Sequence, residues 1–369
     1  MDLSKAFDCV PHDLLIAKLE AYGFDLNALK FFYSYLKRRK QCVKINNWIS
    51  SFQELISGVP QGSNLGPILF NIFINDLYFW IVNSDLANYA DDNTISAFAN
   101  SIKELITKLE NDSEVAIQWF KDNGMSANPD KFQAMIINKC GRHKDLHSLK
   151  IGGFDLLGIE IDNKLNFNSQ IGSLCKSVAG QLNTINAYNK YINFEAKKAL
   201  LESFVQSNFD YCPLVWMLIS PKSMIKIESI QERALRLLFD NYNNTYENLL
   251  ERANKPNMVT RMHRSLAIEV YKTLNDYNPS YMKDVFMKNS RATTRRPNDI
   301  IVQGYKGITY GKNSLRVIAP TVWNKLPNDL RTAPSLQFFK GLIKTWKDFE
   351  HCKCKMCNVM SKTEELEDP

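Results

Sequence analysis

Two adjacent carboxylates, Asp91 and Asp92, lie inside a short β-prone stretch, residues 86–98, and that placement limits what the chain can fold into. Acidic residues are depleted in strands. A pair of them between Leu86-Ala87-Asn88-Tyr89-Ala90 and Thr94-Ile95-Ser96-Ala97-Phe98 therefore reads as a hairpin tip, with Asp91, Asp92 and Asn93 as its turn residues. A turn that projects two acids from a rigid sheet edge holds a divalent cation with little reorganisation. The alternative is a solvated turn, the ordinary reading of an isolated Asp-Asp pair.

The context favours the first. A third carboxylate, Asp2, opens the run Asp2-Leu3-Ser4-Lys5-Ala6-Phe7-Asp8. Between the two acidic blocks, Ser57-Gly58-Val59-Pro60-Gln61-Gly62-Ser63 forms a glycine-rich turn leading into an apolar helix. Three carboxylates gathered by folding make a hard-oxygen site suited to Mg²⁺. Two such ions are the usual electrostatic clamp for in-line nucleotidyl transfer.

In wording and order the three blocks resemble motifs A, B and C of reverse transcriptases, closest to the jockey-like kind of non-LTR retrotransposon. Gly124-Met125-Ser126-Ala127-Asn128-Pro129-Asp130-Lys131 resembles motif D, and Leu157-Gly158-Ile159 resembles the motif E turn that precedes the thumb. A more diffuse similarity continues to about Phe339. The resemblance implies an RNA-directed DNA polymerase that takes an RNA template, a DNA primer and deoxynucleotides, with two Mg²⁺ ions (Mn²⁺ as a substitute). The alternative is a catalytically inactive, nucleic-acid-binding remnant of such a polymerase.

The same resemblance assigns roles residue by residue. Asp2 and Asp91 would bind both metals, with Asp92 completing the cluster and Leu3 lending its backbone carbonyl. Phe7 falls where the family keeps a bulky gate against the ribose 2′-hydroxyl; ordinary core packing is the alternative. Gly58, Pro60, Gln61 and Gly62 would lie near the templating base and incoming nucleotide, and Tyr89 joins the substrate-binding set. Read without the family, they are a plain turn before a helix. Lys131 would neutralise the departing pyrophosphate, against the alternative of a solvated loop lysine.

The implied fold class is α+β: a right-hand polymerase palm, an antiparallel sheet packed by helices, over residues 1–165. An α-helical thumb over 166–255 and a basic C-terminal extension with a cysteine-containing tail over 256–369 follow. One residue precedes Asp2, so fingers and endonuclease regions are expected to be missing. The stretch 150–157 is short for the family.

Local signals fit that outline. Residues 12–22 and 26–40 read as helices, with Gly23 closing the first and Asp25 capping the second. Residues 42–46 and 52–56 read as strands. Ser101 and Glu104 form a capping box for a helix to about Asp122, stopping near Gly124. Residues 132–138 and 155–162 supply two further strands. From 64 to 80, Leu65, Ile68, Leu69, Ile72, Phe73 and Leu77 recur at helical spacing, while Asn71, Asn75 and Asp76 argue against a membrane span. Beyond about Asn166 the pattern is helical near 168–190, 194–209, 221–239 and 259–275.

Charge follows the same division. Residues 1–150 carry 16 Lys+Arg against 17 Asp+Glu, and residues 151–369 carry 30 against 22, so the basic excess sits where a thumb would grip a duplex. Residues 283–347 are the most basic, 13 against 3, with Tyr305, Tyr310, Trp323, Phe338 and Phe339 interleaved. Such a mixture suits single-stranded nucleic acid, although residues 317–323 read better as plain core. The first residues lack an apolar secretory segment and the eight cysteines form no framework, so a reducing interior, cytoplasm and nucleus, is expected. His351, Cys352, Cys354 and Cys357 carry zinc-type donors. Their spacing is tighter than a two-loop zinc module, and a reduced basic tail is the alternative.

Overall fold

The computed structural model describes residues 1, 3–128, 131–137, 154–287, 300–305, 307 and 311–346. They belong to two compact units, Met1–Ala134 and Met135–Pro369. Asp2, Pro129, Asp130, Tyr310 and the residues of the zinc-type tail lie outside the described residues.

In the first unit, β1 (Leu3–Ser4) and α1 (Ala6–Cys9) lead into α2 (His12–Ala21) and α3 (Leu26–Leu36). Four short strands follow: β2 (Lys40–Gln41), β3 (Lys44–Ile45), β4 (Trp48–Ile49) and β5 (Gln53–Glu54). Next come α4 (Gly66–Ile74), the hairpin β6 (Asp85–Tyr89) and β7 (Asp92–Ser96), α5 (Ile102–Asp122) and β8 (Ser126–Ala127). The ends of α2 and the start of α3 are set by local chemistry. Gly23, at φ 88°, donates to Glu20 O, and Phe24 N donates to Leu19 O, the double bond of a Schellman stop. The Asp25 carboxylate then accepts from Ala28 N at 2.8 Å, and Ser101 caps α5 in the same way through Glu104 N.

The core of this unit is built from Leu15 and Leu19 of α2, Leu69, Phe70 and Phe73 of α4, and Trp119 and Phe120 of α5. Lys18 is half-buried against them. Its ammonium bonds Asp76 Oδ1 at 2.7 Å and Phe73 O at 2.9 Å, and lies over the Phe73 and Trp119 rings. Burial pushes its pKa down while the Asp76 partner pulls it back up.

The second unit opens with the hairpin β9 (Phe154–Leu156) and β10 (Ile159–Ile161), turned by Leu157 and Gly158 at φ 51° and 78°. Two successive positive φ values are the pattern of a type I′ turn. Helices follow: α6 (Asn168–Ala187), α7 (Phe194–Leu200), α8 (Ser207–Asp210), α9 (Pro221–Phe239), α10 (Tyr246–Ala253), α11 (Met258–Leu274), α12 (Leu315–Trp323), α13 (Asn328–Arg331) and α14 (Leu336–Thr345). A π-helical segment, Leu201–Gln206, joins α7 to α8. One apolar core holds them, from Ile159 of the hairpin to Ile343 of α14. The chain thus mixes helices with small antiparallel sheets, and no described helix is long and apolar enough to cross a membrane.

Several expectations from sequence are corrected. The second helix ends at Leu36 rather than near residue 40, because Lys37-Arg38-Arg39-Lys40 places four cations in a row and Arg38 takes φ 61°. The expected strands 42–46 and 52–56 break into pieces of two residues, and residues 132–137 form no strand. The described strands pair as separate two-stranded ladders rather than one continuous sheet. On α4 the buried stripe is Gly66, Leu69, Phe70, Phe73 and Ile74, so Ile68 is 55% exposed. Trp323 and Phe339 are buried and stacked on each other, not displayed for nucleic acid, which agrees with the core reading of residues 317–323.

Candidate active site

The acidic hairpin forms as expected, with its tip shifted by one residue. Tyr89 pairs with Asp92, so the two turn residues are Ala90 and Asp91, and Asp92 already belongs to β7. Ala90 takes φ 52°, an uncommon conformation for a side chain with a Cβ. Asn93, expected in the turn, is instead buried and holds it. Its Nδ2 donates to Asp91 O at 2.8 Å, and its Oδ1 accepts from Asn88 Nδ2 at 2.8 Å. Its backbone exchanges two bonds with residue 1: Met1 N donates to Asn93 O at 2.5 Å and Asn93 N donates to Met1 O at 3.2 Å. Leu3 and Ser4 pair with Ala127 and Ser126 of β8. Residues on either side of position 2 are therefore tied to the hairpin and to β8. At the other end of the hairpin, buried Asp112 of α5 accepts from Asn83 N at 3.0 Å and Asn83 Nδ2 at 2.9 Å.

The glycine turn is fastened to the segment after β1. Val59 N donates to Phe7 O and Gly58 N to Val10 O, both at 2.8 Å. Ser57 Oγ donates to Asp8 O at 2.9 Å, Gln61 Nε2 donates to Asp8 Oδ1 at 2.8 Å, and His12 Nε2 bonds Gly58 O at 2.8 Å. Gly58 has φ 89°, and a Cβ there would lie 2.8 Å from both Asp8 Cα and Asp8 O. The close approach that Gly58 permits is thus to the Asp8 backbone. Gly62, at φ 75°, faces open space. Ser63 closes the turn: its hydroxyl donates to Pro60 O at 2.7 Å and accepts from Gly66 N at 2.9 Å at the start of α4.

Phe7 stacks on Phe70 of α4 at 4.3 Å between ring centroids. It also walls an open cleft of about 540 Å³, together with Pro67, Asn71 and Tyr78 on one side and Tyr89 and Ala90 of the hairpin on another. The structure therefore gathers Phe7, the helix after the glycine turn and the hairpin around one space. None of Gly58, Pro60, Gln61 and Gly62 lines this cleft; Gly58 and Gln61 lie against Asp8 instead. Lys131 is exposed, and its backbone N donates to Asn128 O at 3.1 Å.

Asp91 is half-buried and Asp92 exposed. Two adjacent hard-oxygen carboxylates suit Mg²⁺, and a third would come from Asp2. Among the described residues no group of three or more His, Cys, Asp or Glu side chains stands ready for a metal ion. The holding roles of Asn93, Asp112, His12 and Asp8 are not legible in the sequence, although Asn93 and Asp8 stand inside the hairpin and the first motif. Nothing in the spacing of these residues separates them from solvated ones.

Residues 1–161 match the reverse transcriptase (RNA-dependent DNA polymerase) family. That match crosses from the first compact unit into the second and includes β9 and β10. A probable RNA-directed DNA polymerase from transposon BS of Drosophila melanogaster is 28% identical over 262 residues, covering 65% of this chain and 28% of the relative. The RNA-directed DNA polymerase from mobile element jockey of the same fly is 24% identical over 254 residues, covering 64% and 27%. A Pol polyprotein from the type-1 retrotransposable element R1 2 of Nasonia vitripennis is 24% identical over 176 residues, 43% of each. The chain thus spans little more than a quarter of the first two relatives.

Proposed function

We propose, on the match of residues 1–161 to the reverse transcriptase family and the likeness to polymerases of non-LTR retrotransposons, that this chain is the palm and thumb portion of an RNA-directed DNA polymerase. In this reading residues 1–165 are the palm, 166–255 the thumb and 256–369 an extension. Its partners are an RNA template, a DNA primer and deoxynucleotides. The observation that carries it is the convergence of the first motif, the helix after the glycine turn and the acidic hairpin in one unit. Phe7, Asn71 and Tyr89 wall a common cleft, and Met1, next to Asp2 in sequence, is bonded to Asn93, next to Asp92.

Asp2, Asp91 and Asp92 would hold two Mg²⁺ ions, with the Leu3 carbonyl as a further ligand. Bound there, the ions supply Lewis acidity toward the primer hydroxyl and charge neutralisation at the triphosphate. The chain's own residues do the rest. The buried Asn93 fixes the backbone of Asp91, so that carboxylate is presented from a rigid tip. The Phe7 ring, backed by Phe70, closes the floor against a sugar bearing a 2′-hydroxyl. Asp8 holds the Gln61 amide nitrogen, which leaves the carbonyl oxygen of Gln61 available to the nucleotide. Lys131 neutralises the leaving pyrophosphate.

Primer extension on an RNA template with Mg²⁺ tests the reading. Asp91→Asn is expected to lower deoxynucleotide incorporation at least ~100-fold, the order of effect for losing one charged transition-state partner. Equal incorporation by wild type and the variant, with salt-sensitive RNA binding intact in both, would leave a binding remnant instead. The gate has its own readout. Phe7→Ala should raise ribonucleotide incorporation relative to deoxynucleotide by about tenfold or more, and an unchanged ratio removes Phe7 from that role.

A further inference from the structure

Between α3 and the glycine turn the chain runs out and back as a narrow arm. The inner ladder β2–β5 pairs Lys40 with Glu54, and the outer ladder β3–β4 pairs Lys44 with Ile49 and Ile45 with Trp48. Asn46, at φ 53°, turns the tip. Residues directly opposite in an antiparallel pair share a face, so Ile45 and Trp48 lie together on one side and Lys44 and Ile49 on the other. Trp48 is 84% exposed, Ile45 66% and Phe52 66%. Aromatic and branched side chains left this open on a thin arm contribute nothing to a core, and exposed apolar surface of this kind marks a contact site.

The charge around it selects the partner. Residues 37–56 carry five cations, Lys37, Arg38, Arg39, Lys40 and Lys44, against one acid, Glu54. That acid is directly across from Lys40, and Lys37 pairs with Asp13. Neither Arg38 nor Lys44 forms an ion pair among the described residues. Cores of protein interfaces are depleted in lysine and in charge generally. Exposed aromatic faces interleaved with cations are what single-stranded nucleic acid requires, because every base offers a face to stack on and every phosphate a charge to neutralise.

We infer that the arm formed by residues 37–56 is a docking surface for a single-stranded nucleic acid that wraps it, with Trp48 as the stacking platform on one side and Arg38 and Lys44, the latter on the other side, as phosphate contacts. The inference rests on the polymerase reading for which strand is held, the unpaired template. The contact itself rests on the arm's own chemistry. β5 ends three residues before Ser57, so the arm leads directly along the chain into the glycine turn.

The test is fluorescence anisotropy of the full chain with a 5′-fluorescein-labelled, mixed-sequence, 15-nucleotide single-stranded RNA between 50 and 200 mM salt, salt being the variable that reports phosphate contacts (about −0.7 in log–log slope per contact for single strands). Trp48→Ala is expected to weaken binding about tenfold with unchanged thermal unfolding. The double substitution Arg38→Gln, Lys44→Gln should flatten the salt slope by about 1.4. Failure of the wild type to bind the RNA at the lowest salt, or wild-type affinity and slope in both variants, overturns the inference. So does a change in self-association by sedimentation velocity without a change in RNA affinity, which makes the arm a protein contact. Primer extension separates this from the polymerase reading: variants that weaken RNA binding in a chain that incorporates nothing uphold the arm while the enzyme reading falls.

Discussion

Gly58→Ala is expected to destabilise the chain by about 3–4 kcal/mol, from a left-handed conformation plus a backbone collision. The glycine has φ 89°, and the new Cβ would sit 2.8 Å from the Cα and carbonyl oxygen of Asp8. Moving Asp8 away gives little relief, because its carbonyl accepts from Ser57 and its carboxylate from Gln61. Phe7 and Val10 on either side are bonded to Val59 and Gly58. Gly62→Ala is the control. It meets a similar positive φ, 75°, with open space around it, so only the conformational cost of about 1–2 kcal/mol applies. Thermal or urea unfolding of the two variants measures the difference. Equal losses would mean that close contact with Asp8 is not why residue 58 is glycine. The same lock connects stability to the proposed chemistry, since the segment that carries Phe7 and the turn that carries Gln61 hold each other in place.

The second large effect is in the helical unit. Glu228 of α9 is buried, and its carboxylate accepts from the Tyr246 hydroxyl of α10 and from Met258 N at 2.8 Å, at the first turn of α11. Three helices meet at this one group. Glu228→Ala leaves a half-buried phenol and a helix-end N–H without their partner and is expected to cost about 3–4 kcal/mol. Glu228→Gln keeps the shape and an acceptor for Met258 N, and should stay within about 1 kcal/mol of wild type at neutral pH.

Titration distinguishes charge from shape. Burial pushes the Glu228 carboxyl above its ordinary value of 4.5, against the downward pull of its hydrogen bonds, and burial with the nearby carboxylate pushes the Tyr246 phenol up. A group whose folded pKa is raised binds its proton more tightly in the native state. Its stabilising contribution is therefore complete below the unfolded value and is lost as pH rises through the folded one. Wild type should gain stability relative to Glu228→Gln as pH falls from neutral toward about 4. A gap between the two that does not vary with pH would show that burial does not shift this carboxyl.

The lock at Gly58 and the anchor at Glu228 mark what a one-dimensional reading can and cannot reach. Turn and cap chemistry is local, so Gly23, Asp25 and Ser101 announced their helix ends correctly. The hairpin around Asp91 and Asp92 was legible because acids interrupt a β-prone run, although its tip fell one residue early. Helical periodicity located α6, α9 and α11. On α4 it placed Ile68 in the stripe and left out Phe70: a helix that is apolar nearly all round offers several stripes, and packing against the rest of the core, Phe7 included, decides which is buried.

By itself, the sequence determined the likeness of the first 161 residues to reverse transcriptases, the existence of the acidic hairpin and the glycine turn, and the local stops that divide one helix from the next. Those features depend on neighbouring residues, whose interactions are encoded in spacing. Tertiary structure decided the partners. It set Asn93 behind Asp91, His12 against Gly58, Asp112 against Asn83 and Glu228 beneath Tyr246, pairs that span 2, 46, 29 and 18 residues. Except for Asn93, where local spacing suggested a turn and packing made a buried strand residue, each joins elements that meet only after the core has formed. A lone polar residue carries no mark of the distant group that will satisfy it; burial supplies the reason, because a polar atom removed from water must find a partner wherever the fold provides one.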